Sequence, residues 1–73
     1  MKEYAVIIER GDTSYGAYVP DLPGCVAVAE TEAEVRQLIR KANELHVKAM
    51  RQHGDPVPEP ISKVEYVAMP LAS

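Results

Sequence analysis

Tyr15-Gly16-Ala17-Tyr18-Val19-Pro20-Asp21-Leu22-Pro23-Gly24-Cys25-Val26-Ala27 reads as a strand, a rigid turn and a second strand. Tyr and Val favour a pleated, half-buried backbone. Pro20 and Pro23 each hold φ near the value that opens a turn, and Gly24 supplies the residue able to take φ > 0. Two prolines and a glycine within five positions specify an ordered reversal, so the flanking strands are expected to lie antiparallel.

Working outward, residues 3–10 are dense in Val, Ile and Tyr and are expected to form a first strand. Gly11-Asp12-Thr13 joins it by a hairpin turn to a second strand at 14–19. A short third strand of small residues follows at 25–29. Thr31 caps a helix, and Glu34 three positions on completes a capping box. The helix is expected over 32–53, ended by Gly54 and by Pro56, which cannot continue it. A Pro/Glu-rich link at 55–60 leads to a fourth strand at 61–68, and residues 69–73 read as a tail. The expected fold is α+β, a two-layer βββαβ domain over residues 1–73. Its first three strands form an antiparallel meander, and a right-handed crossover helix brings strand four parallel to strand one.

At about 100° per residue, Val35, Leu38, Ile39, Ala42, Leu45, Ala49 and Met50 fall in one apolar stripe, with His46 and His53 inside it. Arg36, Arg40, Lys41, Glu44, Lys48 and Arg51 lie opposite. One helix covers one face of a sheet, yet the strands are apolar on both faces. Tyr4, Val6 and Ile8 alternate with Ala5 and Ile7, and Cys25 and Ala27 alternate with Val26 and Val28. A second apolar sheet face without a helix to cover it points to a homo-oligomer.

A chain of 73 residues buries only about 60% of its unfolded surface, so association adds stability it otherwise lacks. The net charge of −3 disfavours non-specific nucleic-acid binding by the whole surface. A single cysteine forms no internal disulfide, and neither a secretion signal nor an apolar run of about 18 residues is visible. These features fit a cytoplasmic protein that does not contact a membrane.

Glu30, Glu32 and Glu34 cluster at the helix start, where they complement the helix dipole; the sharper reading is an acidic patch for a basic partner. The cationic helix face has ordinary i, i+4 pairing with Glu44, and RNA binding there lacks interleaved aromatics. Cys25 reads as a small buried hydrophobe rather than a reactive thiol. His46 reads as a packed histidine at the core edge. His46 and His53 are seven apart, not the i, i+4 spacing of a helical metal pair. No cofactor is implied.

The order Tyr4-Ala5-Val6-Ile7-Ile8, then Gly16-Ala17-Tyr18-Val19-Pro20-Asp21-Leu22-Pro23-Gly24-Cys25, then Thr31-x-x-Glu34, Glu44-Leu45-His46 and Gly54-Asp55-Pro56-Val57-Pro58-Glu59-Pro60 resembles the HicB-type antitoxin family from Tyr4 to about Pro60. The resemblance implies a trimmed RNase H-like fold in a prokaryotic toxin–antitoxin system. The implied partner is a HicA-type mRNA-cleaving toxin, small and basic. Many such antitoxins carry a C-terminal DNA-binding domain. Only thirteen residues follow Pro60, so that domain is expected to be missing, and specific DNA binding by this chain alone is not expected.

An RNase H-like scaffold raises the question of a nuclease, which needs several carboxylates converging on metal ions. Strand one is Val6-Ile7-Ile8 at its centre, Glu9 lies at its end, and strand four offers only Glu65. The chain is therefore read as non-enzymatic: an antitoxin that occludes a toxin, with Asp12, Asp21, Glu30, Glu32 and Glu34 as partner-binding residues. The alternative is a stand-alone oligomeric binding or regulatory module that kept the fold without a toxin. Pro20, Pro23 and Gly24 are structural turn residues in either case, and Thr31 and Glu34 the helix cap.

Overall fold

The seven residues from Val19 to Cys25 form two consecutive β-turns. Leu22 N–H donates to Val19 O at 3.1 Å, and Cys25 N–H donates to Leu22 O at 3.0 Å. Pro20 and Pro23 each occupy the second position of their turn, the place that suits a fixed φ. Gly24 follows Pro23 with φ 86°, as a type II turn requires. Val19 N–H then donates to Cys25 O at 3.1 Å and closes the loop. Val19, Leu22 and Cys25 all point inward and are essentially inaccessible. The turn is thus also part of the core.

This computed structural model describes residues 2–71 of the chain, in the order β1 (Ile7–Arg10), β2 (Tyr15–Tyr18), β3 (Val26–Ala29) and α1 (Glu32–Gln52). The sheet has the order β1-β2-β3 with both pairs antiparallel. This is the expected α+β arrangement of a meander followed by one helix. The register aligns Ile8, Ala17 and Ala27 on the helix side and Ile7, Tyr18 and Val26 on the other. The ladders are shorter than the β-rich runs. β1 loses its partner before Ile7, because β2 ends at Tyr18 and Pro20 has no N–H to donate. Tyr4 and Val6 nevertheless keep the alternation of Ile8 and pack on the core.

The helix is defined at both ends. Thr31 has extended backbone, and its hydroxyl accepts from Glu34 N–H at 3.1 Å. The Glu34 carboxylate accepts from the Thr31 hydroxyl at 3.2 Å. At the other end Gly54 (φ 74°) donates to Arg51 O and Asp55 N–H donates to Met50 O, a Schellman closure that satisfies two terminal carbonyls. The helix lies chiefly across β3 and β2. Its buried residues are Val35 and Ile39, with Ala42, Val47 and Met50 packed around them. Leu38 and Leu45, expected inside the apolar stripe, are exposed, and Val47 takes part instead. The seated stripe brings Val35 and Ile39 into one cluster with Leu22 and Cys25, a tertiary contact that periodicity cannot register. Among the described residues the inner core is Ala17, Val19, Leu22, Cys25, Val35 and Ile39. Each large member contributes about 1.5–3 kcal/mol by leaving water.

The fourth strand expected at 61–68 is not formed in the single chain. Residues 61–71 join no ladder and are mostly exposed. The path of the preceding link explains this. Tyr4 Oη donates to Pro58 O at 2.6 Å, and Lys2 Nζ pairs with Glu59 at 2.9 Å. The chain then crosses the end of the sheet to the β2–β3 turn. There Asp21 takes both Ile61 N–H (3.0 Å) and Ser62 N–H (2.9 Å) on one carboxylate oxygen and the Ser62 hydroxyl (2.7 Å) on the other. By Ile61 the backbone has passed the β1 edge rather than turned along it. Of the tail expected at 69–73, Ala72 and Ser73 lie outside the described residues, as does Met1.

The turn makes a direct prediction. A Cβ built on Gly24 meets nothing within 4 Å, so only its positive φ resists substitution. Gly24→Val is expected to cost about 1–3 kcal/mol, lowering Tm by about 4–8 °C for each kcal/mol in a domain this small. Thermal unfolding followed by circular dichroism checks this, and an unchanged Tm would refute the assigned turn.

A second prediction concerns Asp21. The Ser62 backbone and hydroxyl, then the Ile61 backbone, donate to its carboxylate and hold its pKa below the usual value. A depressed folded pKa means the clamp is at full strength above the unfolded value of about 3.9 and is lost as pH falls through the lower folded one. Amide exchange at Ile61 and Ser62 should therefore be protected at neutral pH and become unprotected in strong acid. Asp21→Ala should remove that protection at neutral pH while leaving the β1–β2 ladder protected.

Candidate functional site

Because α1 leans over β3 and β2, the helix-facing side of β1 is only half covered. An open groove of about 1250 Å³ runs between β1 and the helix. Tyr4, Val6, Ile8, Ile39 and Val47 supply its apolar surface. Lys2, Arg36, Arg40, Lys48 and Arg51 stand around it, five of the chain's eight Lys and Arg residues. The cationic face read from the helix is therefore the wall of a groove with an apolar floor. Arg36 is paired with Glu32 at 2.8 Å, and Lys41, on the far side, approaches Glu44 at 4.0 Å. Pairs this exposed contribute little to stability.

The opposite sheet face carries Ile7, Tyr18 and Val26 in one cross-strand row, with Val28 beside Gly16 in the next. Val26 and Val28 are 62% and 68% exposed. This is the unpartnered apolar face expected from the two-sided strands, and no element of the described chain covers it.

The proposed acidic residues divide between the two ends of the sheet. Register places the β1–β2 turn, with Asp12, at the same end as the close of β3, where Glu30 and the helix start follow. Asp12, Glu30, Glu32 and Glu34 thus share one end. Asp21 lies at the other, and its carboxylate is occupied by the root of the tail. Glu34 is engaged with Thr31 and Glu32 with Arg36. Asp12 and Glu30 have no ion-pair partner among the described residues.

Cys25 is buried against the core, and that burial pushes its thiol pKa up, away from the reactive thiolate. His46 is half buried. His53, expected in the apolar stripe, is exposed, and its Nδ1 lies 2.8 Å from Ala49 O as part of the helix end. Among the described residues no three His, Cys, Asp or Glu side chains come together as a metal site. No helix there is long and apolar enough to cross a membrane. The surfaces on offer are suited to docking: a cation-rimmed apolar groove, an apolar sheet face and an acidic end. Sequence reasoning missed the groove floor at Val47 and the clamp at Asp21. The first depends on helix rotation and the second on a contact forty residues apart, and neither leaves a local signal.

Comparison with known proteins places these features in a family. The family model described as HicB-like antitoxin of bacterial toxin–antitoxin systems matches residues 4–71, so the match extends past Pro60 and takes in the tail. The UPF0150 protein ssr1765 of Synechocystis is 33% identical over 70 residues, covering 94% of this chain and 84% of that protein. An uncharacterized 14.9 kDa protein from the rep-hol intergenic region of Haemophilus phage HP1 is 27% identical over 67 residues, covering 92% of this chain. The chain spans 50% of the length of that phage relative. No solved structure matches. With nearly its whole length inside the match, the chain belongs to the HicB-like antitoxin family of bacterial toxin–antitoxin systems.

Proposed function

We propose that this protein is an antitoxin that binds a HicA-type mRNA-cleaving toxin and inhibits it by covering its active surface, with no chemistry of its own. The observation that carries this reading is the family match over residues 4–71. The charge distribution supports it. A small, basic, RNA-binding toxin would be steered toward the end of the sheet that bears Asp12, Glu30, Glu32 and Glu34. Asp21, read from sequence as a fifth partner residue, lies at the other end of the sheet, where it also accepts from Ile61 and Ser62. Toxin and antitoxin would meet in the cytoplasm.

The meander and crossover helix fit the core of a trimmed RNase H-like fold, completed by residues 61–68 only when the chain associates. Self-association is part of the proposal. The exposed Tyr18, Val26 and Val28, with half-buried Ile7 beside them, and the exposed apolar tail are more surface than a chain of this size leaves in water without a partner. The same surfaces also favour the alternative, a stand-alone oligomeric binding or regulatory module that needs no toxin.

Co-expression with a small basic protein encoded beside this chain separates the two. The antitoxin reading expects rescue of growth and a stable complex; no rescue and no complex favours the stand-alone module. Within a complex, the triple variant Asp12→Lys, Glu30→Lys, Glu32→Lys should slow association by about tenfold or more at low salt. The difference should nearly vanish at 1 M salt, where the screening length is about 3 Å. An association rate that ignores both salt and these reversals would keep the antitoxin and reject the acidic end as its docking surface.

A further inference from the structure

We propose that residues 61–68 form an exchanged arm: in a dimer, the segment from each copy adds as a fourth strand to the free β1 edge of the other and covers the groove beside it. The proposal goes beyond toxin binding and gives the self-association suggested above, on which it rests, a specific interface.

The arm has the composition of a strand. Val64, Tyr66 and Ala68 alternate with Lys63, Glu65 and Val67, so one face is apolar throughout and the other mixed. Yet it is left in water by its own chain: Tyr66 is 93% exposed, Val67 71% and Ile61 79%. An exposed apolar, strand-forming segment marks an interaction surface. The fold is correspondingly stretched. Its longest extent is 52 Å against 27 and 19 Å, and its radius of gyration is 14.5 Å. A compact domain of this length has a radius of gyration of about 11 Å.

The root of the arm is fixed. Three hydrogen bonds to Asp21 hold Ile61 and Ser62 at the β2–β3 turn, just after Pro58 and Glu59 have been tied to Tyr4 and Lys2. That anchoring lowers the entropy lost when the arm docks. It also carries the arm past its own β1 edge, so the strand it is built to form is available on another copy.

The receiving site is present on the same chain. β1 is an edge strand, paired only with β2. Before Ile7 the backbone of residues 3–6 enters no backbone hydrogen bond among the described residues, although Tyr4 and Val6 are packed on the core. Unpaired edge groups next to an apolar groove are a template for strand addition. A strand laid outside β1 would set Val64 and Tyr66 over Val6, Ile8 and Val47, which line the groove. Two-fold symmetry makes the exchange reciprocal and closed, so it ends at a dimer rather than a fibre.

The full chain at micromolar concentration is expected to sediment at twice its 8.0 kDa mass. Val64→Pro, which removes an N–H from the middle of the arm, should return it to 8.0 kDa with the helical circular dichroism retained. An equimolar mixture of isotope-labelled and unlabelled wild-type chain gives a second measurement that does not depend on the variant's folding. Isotope-filtered cross-relaxation between the Tyr66 ring of one copy and the Val6 or Ile8 methyls of the other is the expected result. A wild-type monomer would overturn both self-association and the arm exchange. A dimer that survives Val64→Pro, or whose intercopy contacts run only through Val26 and Val28, would overturn the arm exchange alone. Capture of a toxin is read separately and is decided by neither result.

Discussion

Closure of the loop by the hydrogen bond from Val19 N–H to Cys25 O is the constraint on which the remaining architecture depends. It forces β2 and β3 to run antiparallel, and it sets the side chain of Leu22 beneath the helix, fully removed from water. Val35 and Ile39 pack where Leu22, Val19 and Cys25 converge, so the helix finds its seat through the turn as much as through the sheet. The turn can do this because its two prolines restrict the unfolded chain as well as the folded one, while Gly24 takes the positive φ that the second turn requires. In a domain with so few inaccessible side chains, that reduction in lost entropy is comparable with the burial of another core residue.

A helix seated over the turn cannot also cover β1. The groove beside β1 and the apolar row of Ile7, Tyr18 and Val26 are two consequences of one packing decision. Each leaves apolar surface in water that a larger domain would cover with a second helix. The tail has the opposite complement: apolar side chains and no surface of its own to cover. The chain thus leaves both an apolar surface and an apolar segment in water, and Asp21 fixes the root from which that segment departs.

Charge is organised by position rather than by the net value of −3. Carboxylates gather where the hairpin turn and the helix start come together, and cations gather along the groove. The two surfaces therefore carry opposite charge, and the small net charge conceals both. Local roles use up part of this charge. Glu34 serves the helix cap and Glu32 a surface pair, which leaves Asp12 and Glu30 as the more outward contributors to the acidic field.

Much of the fold was legible along the chain because its determinants are local. Pro20, Pro23 and Gly24 dictate the turn by their own φ preferences, and Thr31, Glu34 and Gly54 mark the helix ends through bonds three to five residues long. Alternation put Tyr4, Val6 and Ile8 on one side of β1, and all three pack on the core; which side meets the helix was not legible. Family membership was readable from the same ordered motifs. Tertiary structure alone decided which flank of the helix is buried, since Leu38 and Val47 are equally apolar, yet Leu38 is exposed and Val47 packs on the core. It alone joined Asp21 to Ile61 and Ser62, forty residues away. It also decided that residues 61–68, whose strand propensity is plain in the sequence, form no strand in the single chain. Propensity describes what a backbone segment can do, whereas a strand exists only where a partner edge is within reach, and the path from Pro58 to Ile61 carries this one past its own.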